Sequence, residues 1–78
     1  MNRTVLFNGI EYDARHGGPF DRGSADSYYG RACDPHYYIG RTGLGLRVDF
    51  EDLSDNEIKA YNAGYEYNEQ FGDKKEYE

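Results

Sequence analysis

The stretch Ser54-Asp55-Asn56-Glu57-Ile58-Lys59-Ala60-Tyr61-Asn62-Ala63-Gly64-Tyr65-Glu66-Tyr67-Asn68-Glu69-Gln70-Phe71-Gly72 decides the fold. On a wheel turning about 100° per residue, one half carries Glu57, Ile58, Ala60, Tyr61, Gly64, Tyr65, Tyr67, Asn68 and Phe71. The other half carries Asp55, Asn56, Lys59, Asn62, Ala63, Glu66, Glu69 and Gln70. One face is aromatic and the other polar, so the segment reads as an amphipathic helix. Ser54 followed three residues later by Glu57 is a capping box, Leu53 is placed as a staple to Ile58, and Gly72 is expected to close the helix in the left-handed conformation. Gly64 in the helix interior costs about 1 kcal/mol relative to Ala. With Ala60 one turn earlier, it implies a backbone close to that face, supplied by the short helix, the hairpin or a partner.

Upstream, Thr4-Val5-Leu6-Phe7, Asn8-Gly9 and Ile10-Glu11-Tyr12-Asp13 spell a β-hairpin, because Asn-Gly accepts the positive φ angles of a two-residue turn. A lone hairpin is marginal in water, so one face is expected against the aromatic side of the long helix. Residues 14–23, with three Gly and one Pro, read as a loop. A short helix is expected from Asp21 or Ser24 to Arg31, docking through Tyr28 or Tyr29. Pro35 marks an extended turn at Asp34. Residues 40–47 read as a loop or loose strand, and Leu46 to Phe50 alternates like a short strand that adds an edge to the hairpin. The expected fold class is α+β: an N-terminal β-hairpin, with a third edge strand near residues 46–50, packed on one short and one long C-terminal helix. Residues 1–72 form one small domain, and residues 73–78 form a charged tail expected to fray.

The 78 residues include nine Tyr and four Phe but few large aliphatics, so aromatic rings must supply much of the buried area. The single Cys33 excludes an internal disulfide, and no apolar run has the length of a membrane span. A cytoplasmic protein is expected, a monomer or small homo-oligomer. Its net charge of −6 is unevenly placed. Residues 1–48 hold six Arg against five acids, whereas residues 49–78 hold ten acids against three Lys. Phosphate is repelled by the C-terminal half, so direct nucleic-acid binding is disfavoured there and a basic partner is favoured.

Chemistry-bearing patterns are sparse. His16, Cys33 and His36, with Asp21 or Asp34 as a fourth ligand, fall short of a closed zinc site because no second Cys or His pair completes it. A Cys33 and His36 dyad lacks an orienting third group, and the Gly-rich loop lacks the Walker and dinucleotide spacings. No cofactor, no metal and no catalytic residue is expected. The carboxylates Asp49, Glu51, Asp52, Asp55, Glu66 and Glu69 form the expected partner-binding surface, with Tyr12, Tyr37, Tyr38 and Tyr67 as aromatic anchors. Arg22, Arg31 and Arg41 with Tyr28 and Tyr29 form the alternative, an RNA-binding surface in which guanidinium groups and rings meet unpaired bases. Local ion pairs with Asp21, Asp26 and Asp34 and stacking on tyrosines account for the same arginines structurally.

The blocks Arg15 to Arg31, Asp34-Pro35-His36-Tyr37, Ala60-Tyr61-Asn62-Ala63-Gly64-Tyr65, Asn68 and Gly72-Asp73-Lys74 resemble a group of small uncharacterised proteins encoded by tailed bacteriophages. That resemblance covers most of the chain from Arg15 onward and implies action in the cytoplasm of a host cell, on a host protein, with no activity to transfer. Gly30, Arg31, Pro35, Tyr61, Gly64 and Tyr65 are also similar in pattern to ribosome modulation factor. That factor is basic, so the similarity implies a shared helix-turn-helix packing unit and not shared RNA binding. The resulting expectation is a non-enzymatic acidic protein that binds and modulates a host protein, presenting carboxylates where nucleic-acid phosphates would sit. An RNA- or ribosome-associated protein is the alternative.

Overall fold

The computed structural model describes residues 3–39 and 46–75. Strands β1 (Thr4–Phe7) and β2 (Ile10–Asp13) pair antiparallel, with Val5 opposite Tyr12 and Phe7 opposite Ile10. Asn8 and Gly9 take the positive φ angles, 51° and 78°, that their sequence predicted. Because side chains alternate across a strand, Val5, Phe7, Ile10 and Tyr12 share one face. Helix α1 (Pro19–Tyr28), strands β3 (Tyr37–Ile39) and β4 (Leu46–Val48), a 3-10 turn (Phe50–Asp52) and helix α2 (Asp55–Phe71) follow. The architecture is α+β, as the sequence implied.

Helix α2 begins as expected. Glu57 N–H donates to Ser54 Oγ at 3.2 Å and Ser54 N–H donates to Glu57 Oε1 at 2.8 Å, completing the capping box. Its end differs. Gly72 is extended, at φ −92° and ψ 169°, and not left-handed. The extended exit turns the chain back over α1: Asn68 Nδ2 donates to the Asp73 carbonyl at 3.0 Å, and Lys75 N–H donates to the Tyr28 carbonyl at 2.7 Å. Residues 73–75 are therefore tied to both helices instead of frayed, and residues 76–78 lie outside the described residues.

Residues 19–23 are helical, not loop. Pro19 occupies the first turn, where its missing N–H costs nothing and its fixed φ suits the helix. Asp21 complements the same turn and accepts from Gly17 N–H at 2.9 Å. Helix α1 closes earlier than Arg31, through Arg31 N–H to the Asp26 carbonyl and Gly30 N–H to the Ser27 carbonyl.

The two helices cross at a pair of glycines. A Cβ placed on Gly23 would fall on the Tyr61 carbonyl oxygen and 2.9 Å from the Tyr65 nitrogen, and one on Gly64 would fall on the Phe20 carbonyl oxygen. The backbone implied by Gly64 is thus the short helix. Docking runs through Phe20, Gly23 and Ser27, all buried, while Tyr28 and Tyr29 are exposed. On one side of the crossing Phe7, Ala14, Phe20 and Ala63 form the apolar core, with Val5, Tyr12 and Tyr67 packed on it. Tyr12 stacks on Phe20 with ring centres 5.5 Å apart, and Phe7 meets Tyr67 edge-on at 5.6 Å, so the hairpin does cover the aromatic helix face. Ala63, assigned to the polar half of α2, is buried, because the hairpin reaches round the helix to it, while Phe71 is left 69% exposed.

Strand β4 pairs with β3 and not with the N-terminal hairpin. Tyr38 lies opposite Arg47 and Tyr37 opposite Val48. The N-terminal hairpin keeps its two strands.

Gly→Ala inside a helix ordinarily stabilises by about 1 kcal/mol. At this crossing the sign reverses: Gly64→Ala and Gly23→Ala are each expected to destabilise by about 2 kcal/mol or more, since backbone must move to admit the methyl. Urea unfolding followed by circular dichroism checks it, and an unchanged midpoint in either variant contradicts the crossing.

Candidate functional site

Three regions gather polar and charged side chains, the first of them at the helix crossing. The first is a polar network beneath it. Asp26, Ser27, His36, Asn68 and Tyr61 are all buried. Tyr61 Oη donates a short hydrogen bond to Asp26 Oδ2 and accepts from Asp34 N–H at 3.0 Å. Burial first, then the Asp26 carboxylate, pushes the Tyr61 phenol well above the usual tyrosine range. His36 Nδ1 lies 2.7 Å from the Asp34 carbonyl and 3.8 Å from Asp26 Oδ2. A ring nitrogen facing a carbonyl carries the proton, which fixes the tautomer. The ring packs against Tyr61 and Tyr38 at 5.7 and 5.5 Å.

The second region is a cleft of about 420 Å³ above this network, lined by Arg22, Asp26, Arg31, Ala32, Asp34, His36, Tyr38 and Arg47. Arg47 donates from Nε to Asp49 at 2.6 Å and from a terminal nitrogen to Asp34 at 2.8 Å. The Asp49 bond leads in holding its guanidinium charged, against the opposing effect of burial. Arg31 stands 3.5 Å from Asp26 Oδ1 and 4.8 Å over the Tyr29 ring. Arg22 lies 5.9 Å over the Tyr38 ring, and its Nε is enclosed without a hydrogen-bond partner, Asp21 Oδ2 being 3.6 Å away.

The third region is acidic. Asp49, Glu51, Asp52 and Asp55 are exposed around the 3-10 turn and the start of α2. Phe50 stands among them, 57% exposed, on a backbone held by Asp52 N–H to the Asp49 carbonyl at 2.9 Å and Leu53 N–H to the Phe50 carbonyl at 3.1 Å.

The expected residues divide between these regions. Asp49, Glu51, Asp52 and Asp55 come together. Glu66 and Glu69 do not join them: they sit three to four turns along α2, at about 1.5 Å per residue. Glu69 accepts from Ser27 Oγ at 2.5 Å and pairs with Lys74, which lowers its pKa, so it serves the docking of the tail. Glu66 lines a groove beside Phe7, Asn8 and Asn62. The Glu57 carboxylate raises the Tyr37 pKa, and Glu57 itself is held below the usual carboxylate range, first by the Ser54 N–H and then by the Tyr37 hydroxyl. Tyr38 faces the cleft, and Tyr12 and Tyr67 belong to the core, not to a free surface. Arg22 and Arg31 share the cleft. Tyr28 and Tyr29 meet edge-on at 4.9 Å, with Arg31 over Tyr29. Arg41 lies outside the described residues.

Cys33 is exposed and donates to Asn62 Oδ1 at 3.4 Å. Burial first, then the Asp26 and Asp34 carboxylates, raises its thiol pKa, which keeps it a poor nucleophile. Among the described residues no group of three or more His, Cys, Asp and Glu is placed to hold a metal ion. No described helix is long and apolar enough to cross a membrane.

Sequence reasoning overlooked Arg47, His36 and Asp26 as neighbours, and Phe50 as a surface residue. Only Phe50 carried a local signal, a lone aromatic between acids. Comparison of the chain with protein-family models, with curated proteins and with solved structures finds no match.

Tyr61→Phe leaves Asp26 Oδ2 without its hydroxyl donor and the Asp34 N–H without its acceptor, for an expected loss of about 2 kcal/mol. A group whose pKa rises on folding stabilises the fold at lower pH and loses that contribution as pH climbs through its folded value. Tyr61 is therefore expected to ionise only as the protein unfolds in alkali. An ultraviolet titration checks this: a step in tyrosinate absorbance coinciding with loss of helical signal is expected in the wild type, and a step smaller by one tyrosine in Tyr61→Phe, where the raised Tyr37 phenol still contributes.

Proposed function

We propose that this chain is a non-enzymatic binding module that seats a basic partner protein on the segment around Phe50. The observation that carries this reading is the aromatic ring of Phe50, turned to solvent on a hydrogen-bonded turn and ringed by the carboxylates of Asp49, Glu51, Asp52 and Asp55. Large aromatics on rigid backbone are the anchors of protein interfaces, and a charged rim steers the oppositely charged partner and sets its orientation. Asp49 is half neutralised by Arg47, whereas no ion pair among the described residues takes up Glu51, Asp52 or Asp55. These three supply the free negative charge.

The strand pair extends the surface. By register, Tyr37, Ile39, Leu46 and Val48 share the face opposite Tyr38 and Arg47, and Ile39 and Leu46 are 55% and 77% exposed. The resemblance to phage-encoded proteins makes a host protein the partner class, and a protein that ordinarily holds nucleic acid offers the basic surface that such carboxylates match. The RNA-binding alternative has less support along this segment, where phosphate meets uncompensated carboxylates.

Affinity capture from host lysate with tagged wild type and Phe50→Ala tests the reading. The wild type is expected to retain a basic protein that Phe50→Ala binds about 30-fold more weakly, corresponding to a lost anchor of about 2 kcal/mol. Glu51→Lys with Asp52→Lys is expected to slow association most at low salt. Equal recovery by wild type and Phe50→Ala sinks the proposal.

A further inference from the structure

We propose that this chain self-associates through the open edge of β1, two copies pairing Thr4–Phe7 antiparallel across a two-fold axis into one four-stranded sheet. The contact uses no residue of the Phe50 segment, so it stands whether or not that segment docks a partner.

Both described sheets have two strands, so each strand has one unpaired side. The Ala14 N–H donates to the Arg3 carbonyl at 2.8 Å, which makes these two residues a hydrogen-bonded pair. Such pairs alternate along an antiparallel ladder, so Val5 with Tyr12 and Phe7 with Ile10 are bonded as well, and the N–H and carbonyl groups of Thr4 and Leu6 point away from β2. Among the described residues no hydrogen bond takes up these outward groups. The Leu6 side chain beside them is 70% exposed.

The other edges are guarded. Strand β2 carries the exposed carboxylates Glu11 and Asp13, and β4 carries Arg47. Beyond β3, the Tyr38 N–H donates to the Gly17 carbonyl at 2.9 Å. Charge along an edge, or cover over it, is how proteins prevent strand addition, and Thr4-Val5-Leu6-Phe7 has neither a charge nor a Pro.

A second copy is the occupant this edge fits. Thr4 and Leu6 each offer one donor and one acceptor, so a two-fold axis at Val5 sets Thr4 of each copy opposite Leu6 of the other. Both pairs exchange both of their bonds, and every outward group of β1 is satisfied. The two Leu6 side chains become diagonal neighbours on the outer face, about 7 Å apart. Charge selects this edge over β2. In the joined sheet Asp13 of one copy and Glu11 of the other share a row, three strand spacings or about 14 Å apart, beyond the physiological Debye length of about 8 Å. Joining β2 to β2 would set carboxylates about 5 Å apart. Both copies carry −6 and the paired strands are four residues long, so the contact is a weak one.

Amide exchange with water, followed by NMR on the ¹⁵N-labelled chain, tests the pairing together with sedimentation velocity. Raising the chain from about 10 μM to about 1 mM is expected to slow exchange at the Thr4 and Leu6 amides about fivefold, for a Kd of about 100 μM, and to leave the outward Glu11 and Asp13 amides unchanged. Leu6→Lys, which sets two ammonium groups side by side on the outer face, is expected to weaken the dimer about tenfold. Leu46→Lys, at a position 77% exposed on β4, is expected to leave it unchanged. Circular dichroism confirms that both variants are folded. A monomer alone at the highest concentration, or equal weakening in the two variants, overturns the proposal. So does concentration-dependent protection at the Arg47 amide in place of Thr4 and Leu6, which would mark β4 as the joined edge.

Discussion

The rest of the structure depends on two backbones touching where no side chain stands between them. Gly23 and Gly64 face each other's helices so closely that a single methyl on either would occupy a carbonyl oxygen of the other helix. This approach draws the side chains beside the glycines deep into the opposite helix. Tyr61 becomes fully buried and Ser27 with it. A tyrosine hydroxyl at such a depth needs partners, and the crossing delivers them: the Asp26 carboxylate from α1 and the Asp34 N–H from the chain beyond it. The polar network is a consequence of the glycine contact. It also orders residues 31–36, since Tyr65 Oη bonds to the Arg31 carbonyl at 2.6 Å and His36 packs on Tyr61.

The same geometry separates the charges of the chain. Asp21, Asp26 and Asp34, from the arginine-bearing half, stand beside Arg22, Arg31 and Arg47. Of the C-terminal acids, Asp49 pairs with Arg47, Glu57 caps its own helix and Glu69 holds Lys74. Charge that the fold consumes in this way has little left for a partner. Glu51, Asp52 and Asp55 are what remains around Phe50, and that residue of unpaired charge, more than the net −6, defines the acidic surface.

The sequence was most legible where the chemistry is local. Asn8-Gly9 sets a turn through its own φ angles, and Ser54 with Glu57 sets the start of α2 within one turn, so both elements could be read without knowing what they pack against. Gly64 announced a close contact because a helix does not keep an interior glycine cheaply. Its partner Gly23 was hidden, since Gly17, Gly18 and Pro19 gave the whole stretch the composition of a loop. Pro19 in fact begins a helix, and the glycine count conceals a packing demand. Strand β3, three residues long and without alternation, exists through its pairing with β4. The cleft was illegible for a related reason: Arg22, His36 and Arg47 meet only once α1, β3 and β4 are in place.

Aromatic content alone does not separate rings that hold the fold from rings that face solvent, and the difference between tyrosine and phenylalanine helps to do so. Several tyrosines are cross-links: Tyr61 to Asp26 and Asp34, Tyr65 to the Arg31 carbonyl, Tyr37 to Glu57. A half-buried tyrosine such as Tyr65 is therefore accounted for by its hydroxyl. A phenylalanine has no such bond, so its exposure must be explained by what its ring touches. Phe7 and Phe20 are in the core, and Phe71, although exposed, meets Phe7 and Tyr67 at 6.3 and 5.5 Å. Among the described residues no ring contact involves Phe50, and its backbone is nonetheless held in a hydrogen-bonded turn. An apolar ring turned to solvent gains nothing from burial inside the fold, which sets Phe50 apart from Phe7, Phe20 and Phe71 and is what supports the docking face proposed for it.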